Sequence, residues 1–276
     1  MSPDSHSRLR FCRSLLFLPA SNPRAIEKAR SLGADMVILD LEDAVKPGDK
    51  DMARAAAAEA AAQGFGGSLV AIRVNSPGAL QDADAAAVRG SAADYAVVPR
   101  TSGPEDVARV AAATGKPVLA MVETAAGVLA ARAIAGEAKA LIAGTNDLSA
   151  DLGIRSGAGR RPLVTALQTI LLAARAAGIA AFDGVHNRLD DLGAFEAECE
   201  EGRAFGFDGK SLIHPSQIEP ANRVFGPSPE ELGRARRLVA AATGGAERFE
   251  GEMIERMHVE QALHLLSRGG EGALAG

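Results

Sequence analysis

Three carboxylates follow a short apolar run near the N-terminal end of the chain. The run at residues 36–39 leads directly into Asp40, Glu42 and Asp43. A buried strand has no structural need for such a cluster at its end, because a charged group that leaves water must find a partner. Carboxylate oxygens are the ligands that hard divalent cations prefer. We therefore expect these residues to form one wall of a polar, metal-containing site.

A second pair of carboxylates, Glu123 and Asp147, follows two later apolar runs. If those runs are neighbouring strands, the two side chains can share one cation. Water and substrate oxygens would then complete an octahedron, which is the usual way that proteins bind Mg²⁺. The spacing therefore predicts Glu123 and Asp147 as metal ligands.

Positive charge and free backbone N–H groups are predicted near the same place. Arg73 and Arg100 also follow apolar runs, and a guanidinium suits an anionic or enolate-like oxygen. Gly144, Thr145 and Asn146 form a glycine-opened loop at a helix start, just before Asp147. The N–H groups of such a loop suit a carboxylate, so we expect these residues to bind substrate.

No Ser-His-Asp or Cys-His arrangement typical of nucleophilic catalysis stands out in the sequence. Among the 5 histidines, His214 has the best position, because it follows the last apolar run and precedes a proline. A contact with substrate and a structural hydrogen bond are both open for this residue.

The scaffold must bring the ends of these distant runs together. Short apolar runs typical of fully buried parallel strands alternate with helical stretches along the chain. This alternation implies a parallel sheet with right-handed crossovers, and eight such units in about 250 residues have the size of a TIM (β/α)8 barrel. The predicted strands are residues 14–18, 36–39, 70–74, 95–98, 118–122, 140–143, 179–182 and 211–213.

A doubly wound open sheet is the main alternative. It would require fewer strands or a reversal in strand order, and no Gly-x-Gly-x-x-Gly turn follows the first strand. Active sites of TIM barrels lie at the carboxyl ends of the strands, and polar residues follow almost every predicted strand. They are Asp40, Glu42, Asp43, Arg73, Asn75, Arg100, Glu123, Thr145, Asn146, Asp147, Asp183 and His214.

Composition and charge exclude several classes of protein. The 276-residue chain has a formal net charge of -5, which argues against sequence-independent binding to nucleic acid. Its 2 cysteines show no metal-ligand or disulfide spacing, as expected in a reducing compartment. The first apolar run is ended by Pro19 and is too short for a signal peptide or a membrane span. We expect a cytoplasmic protein with no membrane partner.

The alternation of strands and helices stops after Thr243. We therefore predict a barrel domain at residues 1–243 and a C-terminal helical extension at 244–276. Within this extension, residues 252–267 form an amphipathic stretch that precedes a glycine-rich end. The extension either caps its own barrel or docks on a neighbouring subunit.

Six motifs in order resemble a known family across nearly the whole chain. They resemble the citrate lyase beta subunit family of the HpcH/HpaI aldolase superfamily, which includes citrate-lyase-beta-like proteins and the malyl-CoA and citramalyl-CoA lyases. The motifs are RSLLFLP at 13–19, LDLED at 39–43, RVN at 73–75, ETAAG at 123–127, GTNDL at 144–148 and GKSLIHPSQ at 209–217.

The resemblance implies a Mg²⁺-dependent carbon-carbon lyase on a TIM barrel. Such an enzyme cleaves an acidic 3-hydroxyacyl-CoA, of the malyl-CoA or citramalyl-CoA type, to acetyl-CoA and a 2-oxo acid. The reaction passes through a metal-chelated substrate and a thioester enolate. The assembly that the resemblance implies is a homotrimer or a hexamer.

The resemblance also implies roles for individual residues. Glu123 and Asp147 would bind Mg²⁺, and Arg73 would stabilise the enolate. Glu42 and Asp43 would hold metal-bound waters and orient the arginine. The backbone amides of residues 144–147 would take the carboxylate of the 2-oxo acid.

This chain departs from the family pattern at three positions. Glu255 stands where the family tail usually has an aspartate that is a candidate acid or base, and moving a carboxyl group by about one methylene can cost a hundredfold in rate. Asn146 replaces the usual glutamate before Asp147, which removes a negative charge near the metal. Arg100 stands where the family has lysine.

Other functions on the same scaffold stay open. One is a citryl-thioester lyase, the citrate lyase beta subunit, which acts with acyl-carrier and transferase partner subunits. Another is a malyl-CoA thioesterase or a malate-synthase-like enzyme with the same enolate-stabilising site. A third is a ligand-binding protein that keeps the fold, but in which Asn146 and Glu255 have abolished turnover.

Overall fold

Eight parallel strands close into a barrel in the computed structural model, which describes residues 8–270. Each strand pairs with the next along the chain, and β1 closes the barrel against β8, where Leu15 lies opposite Ser211. This topology confirms the predicted TIM barrel. The strands are β1 Ser14–Pro19, β2 Met36–Asp40, β3 Leu69–Arg73, β4 Tyr95–Val98, β5 Val118–Val122, β6 Ala140–Ala143, β7 Ala180–Asp183 and β8 Gly209–Leu212.

Apolar side chains fill the inside of the barrel. The strands are buried almost throughout, as the continuous apolar runs predict for a sheet covered on both faces. Successive side chains of a strand point to opposite faces, so every second residue contributes to this core. Its members include Leu15, Met36, Ile38, Leu69, Ala71, Tyr95, Val97, Leu119, Met121, Ala140, Ile142 and Phe182.

Helices follow the strands, and those that precede residue 218 cover the outside of the barrel. Local sequence signals set the boundaries of these helices. Asn22 and Thr124 accept N–H groups at two helix starts. The helices are α1 Pro23–Ala29, α2 Lys50–Gln63, α3 Ala79–Gly90, α4 Pro104–Thr114, α5 Ala125–Glu137, α6 Thr145–Asp151, α7 Val164–Ala177, α8 Leu192–Phe205, α9 Ile218–Phe225, α10 Pro229–Ala241 and α11 Arg256–Arg268.

The chain divides into two compact units, one up to Asn222 and the other from Arg223. Helix α10 therefore belongs to the second unit, whereas we predicted that the barrel domain would extend to residue 243. In this unit, Ala235 and Leu238 of α10 pack against Ile254 and Ala262. The first unit carries the whole barrel.

The second unit contains a hairpin that the sequence pattern did not indicate. Strand β9 (Glu247–Phe249) pairs antiparallel with β10 (Glu252–Ile254). The amphipathic stretch predicted from residue 252 therefore begins as a strand, and its helix starts only at Arg256. Its glycine-rich end, after residue 270, lies outside the described residues. No helix in the described range is both long and apolar enough to cross a membrane.

Candidate active site

A cavity of about 400 Å³ opens at the carboxyl ends of the barrel strands. This is the end at which TIM barrels bind their substrates. Most of the predicted site residues line the cavity, together with apolar side chains from β1, from β5 and from the residues just after β7 and β8. The lining includes Phe17, Pro19, Asp40, Asp43, Arg73, Met121, Glu123, Gly144, Thr145, Asn146, Asp147, Val185, Ser211 and Ile213.

Arg73 is held in place by two carboxylates. Its Nε and Nη2 donate to the two carboxylate oxygens of Asp40 at 2.6 and 2.7 Å, and its Nη1 lies 3.0 Å from Glu42 Oε2. Burial alone would lower the pKa of Arg73, but the hydrogen bonds and charge of Asp40 outweigh burial and raise it. The guanidinium also lies over the ring of Phe17. Arg73 is therefore a fixed, permanent positive charge beside the cavity.

The carboxyl group of Glu42 has a raised pKa. Burial raises its pKa to about 7, and the negative charges of Asp43 and Glu123 act in the same direction. The charge of Arg73 and a 3.0 Å hydrogen bond from Ser76 oppose this shift without cancelling it. Glu42 can therefore hold a proton near neutral pH.

A buried lysine fixes the loop that carries Glu42. Lys50 Nζ donates to the carbonyl oxygens of Leu41 and Glu42, both at 2.6 Å, and to Asn75 Oδ1 at 2.7 Å. Asn75 also donates to the Leu41 carbonyl at 2.9 Å. The sequence did not reveal Lys50, because a lysine at a helix start is ordinarily solvated. Its ammonium group sets the path of the backbone between β2 and α2.

Glu123 lies at the end of β5 and accepts the backbone N–H of Arg100 at 2.6 Å. Burial raises its pKa, and the charge of Asp147 adds to this effect. Gly144 leaves room for the carboxylate, because a Cβ at this position would lie 2.2 Å from Glu123 Oε2. The structure thus brings Glu123 and the loop of Asp147 together, as neighbouring strands predict.

Arg100 contacts both Glu123 and Asp147. Its backbone has a φ of 47°, a left-handed conformation that is uncommon for a residue with a side chain, and it directs the N–H at Glu123. Its Nη1 lies 3.3 Å from Asp147 Oδ1. The side chain is about half exposed, so this ion pair contributes little to stability, and the guanidinium can move towards a ligand.

The loop between β6 and α6 faces the loop that follows β7. Asn146 and Asn187 exchange amide hydrogen bonds at 2.7 and 3.2 Å, and Thr145 Oγ1 contacts the Val185 carbonyl at 3.5 Å. These contacts place Thr145 and Asn146 at the cavity wall. The N–H of Gly144 donates to the Val122 carbonyl at 3.1 Å, so the expectation that this amide binds substrate was wrong. Helix α6 begins at Thr145, which confirms the helix start expected at this loop, and it is seven residues long.

Two polar residues from the strand-end set point elsewhere. Asp183 faces the helices behind the barrel, where it accepts Lys210 Nζ at 2.8 Å and Arg160 at 3.0 Å. His214 caps a short 3-10 turn, and its Nδ1 lies 2.8 Å from Ser216 Oγ. For His214 the structure favours the structural hydrogen bond over a substrate contact. The expectation that Asp183 belongs to the polar face was wrong, because its side chain falls on the outer side of β7.

Glu255 lies in the second unit and is exposed. It is the N-cap residue of α11, where its backbone N–H donates to His258 Nδ1 at 2.9 Å. Its role as an acid or base stays a prediction.

The donor set of the cavity fits a divalent cation. Five carboxylates, Asp40, Glu42, Asp43, Glu123 and Asp147, face two guanidinium groups, Arg73 and Arg100, so negative charge is in excess. No cluster of three or more His, Cys, Asp or Glu ligands occurs within residues 8–270. One or two carboxylates with water and substrate oxygens are, however, the usual Mg²⁺ environment. Glu123 and Asp147 form such a pair.

Comparisons with known proteins identify the family. The model of the HpcH/HpaI aldolase/citrate lyase family matches residues 13–215. The chain is 40% identical over 267 residues to a (3S)-malyl-CoA thioesterase of Cereibacter sphaeroides, covering 93% of this chain and 94% of the relative. It is 36% identical over 266 residues to a citrate lyase subunit beta-like protein of Mycobacterium tuberculosis, covering 93% and 95%.

A solved structure shows the same architecture. The crystal structure of CitE from Mycobacterium tuberculosis, in complex with magnesium, acetoacetate and coenzyme A, superposes with a TM-score of 0.81 at 36% sequence identity. The match covers 95% of this chain and 100% of that chain. The chain belongs to the HpcH/HpaI aldolase/citrate lyase family.

Proposed function

We propose that this protein is a Mg²⁺-dependent carbon-carbon lyase that cleaves an acidic 3-hydroxyacyl-CoA, of the malyl-CoA or citramalyl-CoA type, to acetyl-CoA and a 2-oxo acid. One observation carries this proposal: Arg73, fixed by Asp40, lines the same cavity as the carboxylate pair of Glu123 and Asp147. The first group suits an enolate oxygen, and the second suits a cation. A reaction that separates a thioester enolate from an oxo acid needs both.

Glu123 and Asp147 are the residues that would hold Mg²⁺. When bound, the ion supplies Lewis-acid polarisation of substrate oxygens. Glu123 is aimed by the N–H of Arg100 and by the space at Gly144, so its carboxylate needs little rearrangement. Burial, and after it the charge of Asp147, raises the pKa of Glu123, and a bound cation would relieve the repulsion between the two carboxylates. The related CitE structure contains magnesium with acetoacetate and coenzyme A, which supports both the cation and the thioester class.

Arg73 would stabilise the negative charge that develops on the thioester oxygen as the carbon-carbon bond breaks. Both of its contacts with Asp40 are short, and the side chain is buried. A donor that is already oriented requires no reorganisation when charge develops, which is the main source of electrostatic catalysis. Asp40 acts on the reaction through the position of Arg73, and Glu42 adds one contact with the guanidinium.

The carboxylate of the 2-oxo acid half would bind the loop at residues 144–147. Thr145, Asn146 and Asp147 form the first turn of α6, whose N–H groups have no partners within the helix. Arg100 adds a mobile positive charge beside this loop. The two ends of the acyl group therefore bind different strands, which holds the bond to be broken between them.

Two carboxyl groups are candidates to protonate the enolate. Glu42 has a pKa of about 7 and contacts Arg73, so it can carry a proton beside the enolate site. Glu255 is the alternative, supplied by the C-terminal unit of the same or of a neighbouring subunit in a homotrimer or hexamer. Glu42→Gln and Glu255→Gln distinguish them, because only loss of the true donor stops proton exchange at the methyl group of acetyl-CoA in deuterated water.

A thioesterase is the second candidate function. The observation that favours it is the 40% identity to a (3S)-malyl-CoA thioesterase over 93% of this chain. A citryl-thioester lyase that acts with partner subunits is a third, favoured by the resemblance to citrate lyase beta-like proteins. All three use an acidic acyl thioester, and they differ in the bond that is broken.

Product analysis separates these activities. The purified protein is incubated with malyl-CoA, citramalyl-CoA and citryl-CoA, with Mg²⁺ and with EDTA, and all products are quantified by chromatography. A lyase yields acetyl-CoA and an equal amount of 2-oxo acid, whereas a thioesterase yields free CoA and the intact hydroxy acid. The lyase proposal fails if free CoA accumulates without acetyl-CoA, and the metal proposal fails if EDTA leaves the rate unchanged.

A further inference from the structure

One buried hydroxyl in the cavity has no hydrogen-bond partner among the described residues. Ser211 is 1% exposed, and its Oγ lies outside hydrogen-bonding range of every described protein donor and acceptor. Leaving such a group unpaired destabilises the folded protein, because the hydrogen bonds that it made to water are not replaced. Buried polar groups in proteins are nearly always paired, so this exception requires an explanation.

The direction of the Ser211 side chain follows from its neighbour. Lys210 Nζ contacts Glu198 on α8 at 2.7 Å, so residue 210 points outwards from the barrel. Alternation along a strand then directs Ser211 inwards, and Ser211 indeed lines the cavity with Phe17, Val185 and Ile213. The hydroxyl is therefore the polar group of an otherwise apolar wall.

We infer that the Ser211 hydroxyl hydrogen-bonds an oxygen of the bound acyl group, on the wall formed by β8. This inference rests on the proposed function and names one further substrate contact. A hydroxyl can donate one hydrogen bond and accept two, so it suits a hydroxyl, carbonyl or carboxylate oxygen. Ser211 has no base within hydrogen-bonding distance among the described residues, and an unactivated serine is a poor nucleophile. Its role is binding and selection.

The contact makes Ser211 a determinant of acyl specificity. The carboxylates Glu123 and Asp147 and the guanidinium of Arg73 line the same cavity, but they come from the residue after β5, the first turn of α6 and the end of β3, respectively. Ser211 offers the hydrogen bond on the β8 wall, where Phe17, Val185 and Ile213 present only carbon. An acyl group with an oxygen facing this wall is favoured over one that places a methyl group there, because the latter leaves the hydroxyl unpaired.

A matched control exists on the neighbouring strand. Ser14 of β1 is also fully buried, but its Oγ accepts the backbone N–H of Asp35 at 3.0 Å. Ser14→Ala removes a hydroxyl that accepts a hydrogen bond within the protein, whereas Ser211→Ala removes a hydroxyl that has no partner among the described residues. The two substitutions delete the same atom from adjacent strands.

The test measures thermal stability and ligand affinity together. The wild type, Ser211→Ala, Ser211→Cys and Ser14→Ala are compared by melting temperature, and by calorimetric titration with glyoxylate, pyruvate and oxaloacetate in Mg²⁺ and CoA. KM for malyl-CoA and citramalyl-CoA is measured alongside. We expect Ser211→Ala to melt at or above the wild-type temperature and to bind one class of acid about two- to tenfold more weakly, as the loss of one hydrogen bond predicts. The affinity of Ser211→Cys for this acid should lie between those of the wild type and Ser211→Ala. Ser14→Ala should melt at a lower temperature than the wild type and bind the acids with unchanged affinity.

Three results would overturn the inference. Unchanged affinity and KM in Ser211→Ala would rule out the proposed contact between Ser211 and the substrate, and the proposed function would still stand. A fall in melting temperature as large as that of Ser14→Ala would show that the hydroxyl has a protein partner. A wild type that neither binds nor turns over any of these compounds would refute the proposed function, and this inference with it.

Discussion

Asp40 and Arg73 form a two-point contact at the carboxyl end of the barrel, from Nε to Oδ1 at 2.6 Å and from Nη2 to Oδ2 at 2.7 Å. The residues come from adjacent strands, where Asp40 and Arg73 are paired in register. Two parallel hydrogen bonds fix the plane of a guanidinium as well as its position. Asp40 is thus the principal partner of the arginine, with Glu42 adding one contact.

Asp40→Asn tests this relationship. The amide is of the same size but leaves the buried guanidinium without its main counter-charge, so we expect a loss of about 3 kcal/mol in the free energy of unfolding. We also expect kcat to fall about a hundredfold, because Arg73 is no longer held in place. Urea denaturation and steady-state kinetics measure the two effects. Glu27→Gln is the control, since it breaks the exposed ion pair with Arg30 and should change stability by under about 1 kcal/mol.

Lys50→Met should destabilise the loop between β2 and α2. The substitution leaves the carbonyl oxygens of Leu41 and Glu42 and the side chain of Asn75 without their shared donor, at a cost of about 3 kcal/mol. The exposed Lys46, four residues earlier, provides the control in Lys46→Met. Denaturant titration compares the two variants. Equal stability would show that Lys50 does not fix the loop.

The pH dependence of stability should reveal Glu42 in metal-free protein. Burial raises its pKa from 4.5 to about 7, so the folded state binds this proton more tightly than the unfolded state does. Protonated Glu42 therefore makes its full contribution to the free energy of unfolding below about pH 4.5. This contribution, about 3 kcal/mol, is lost as the pH rises through about 7. Thermal denaturation in EDTA across this range measures it. Glu42→Gln should flatten this part of the profile, and an unchanged profile would contradict the assignment.

The ion cluster behind β7 and β8 should support the fold. Lys210 is fully buried between Asp183 and Glu198, at 2.8 and 2.7 Å. Lys210→Met would leave a buried carboxylate without its partner, so we expect a loss of about 3–5 kcal/mol. Lys139→Met changes an exposed lysine and should be nearly neutral. A small effect of Lys210→Met in denaturant titration would show that Arg160 alone can neutralise the pair.

The barrel and most of the site followed from the sequence, because both depend on local patterns. Apolar runs of four or five residues show buried parallel strands, and strand ends in such a barrel converge at one face. That logic brought Glu123, Asp147 and Arg73 together correctly. It could not decide which side of a strand end a residue occupies, and for this reason Asp183 was misplaced.

Partners that depend on tertiary contacts were not visible in the sequence. Lys50 looks like an ordinary residue at a helix start, and only the fold shows that its ammonium group is buried under the loop of Glu42. Asp40 was expected in the wall of a metal site, because its partner Arg73 is 33 residues away and the pairing is not visible in the sequence. The hairpin of β9 and β10 was not predicted, because strands of three residues carry almost no periodic signal.

The central claim is that Glu123 and Asp147 hold Mg²⁺ in the cavity that Arg73 faces. Calorimetric titration with Mg²⁺ tests it most directly, with the wild type, Glu123→Gln and, as a control, Glu137→Gln, which alters an exposed carboxylate on α5. We predict one Mg²⁺ site per chain, weakened about a hundredfold or more in Glu123→Gln and unchanged in Glu137→Gln. Wild-type Mg²⁺ affinity in Glu123→Gln would contradict the account.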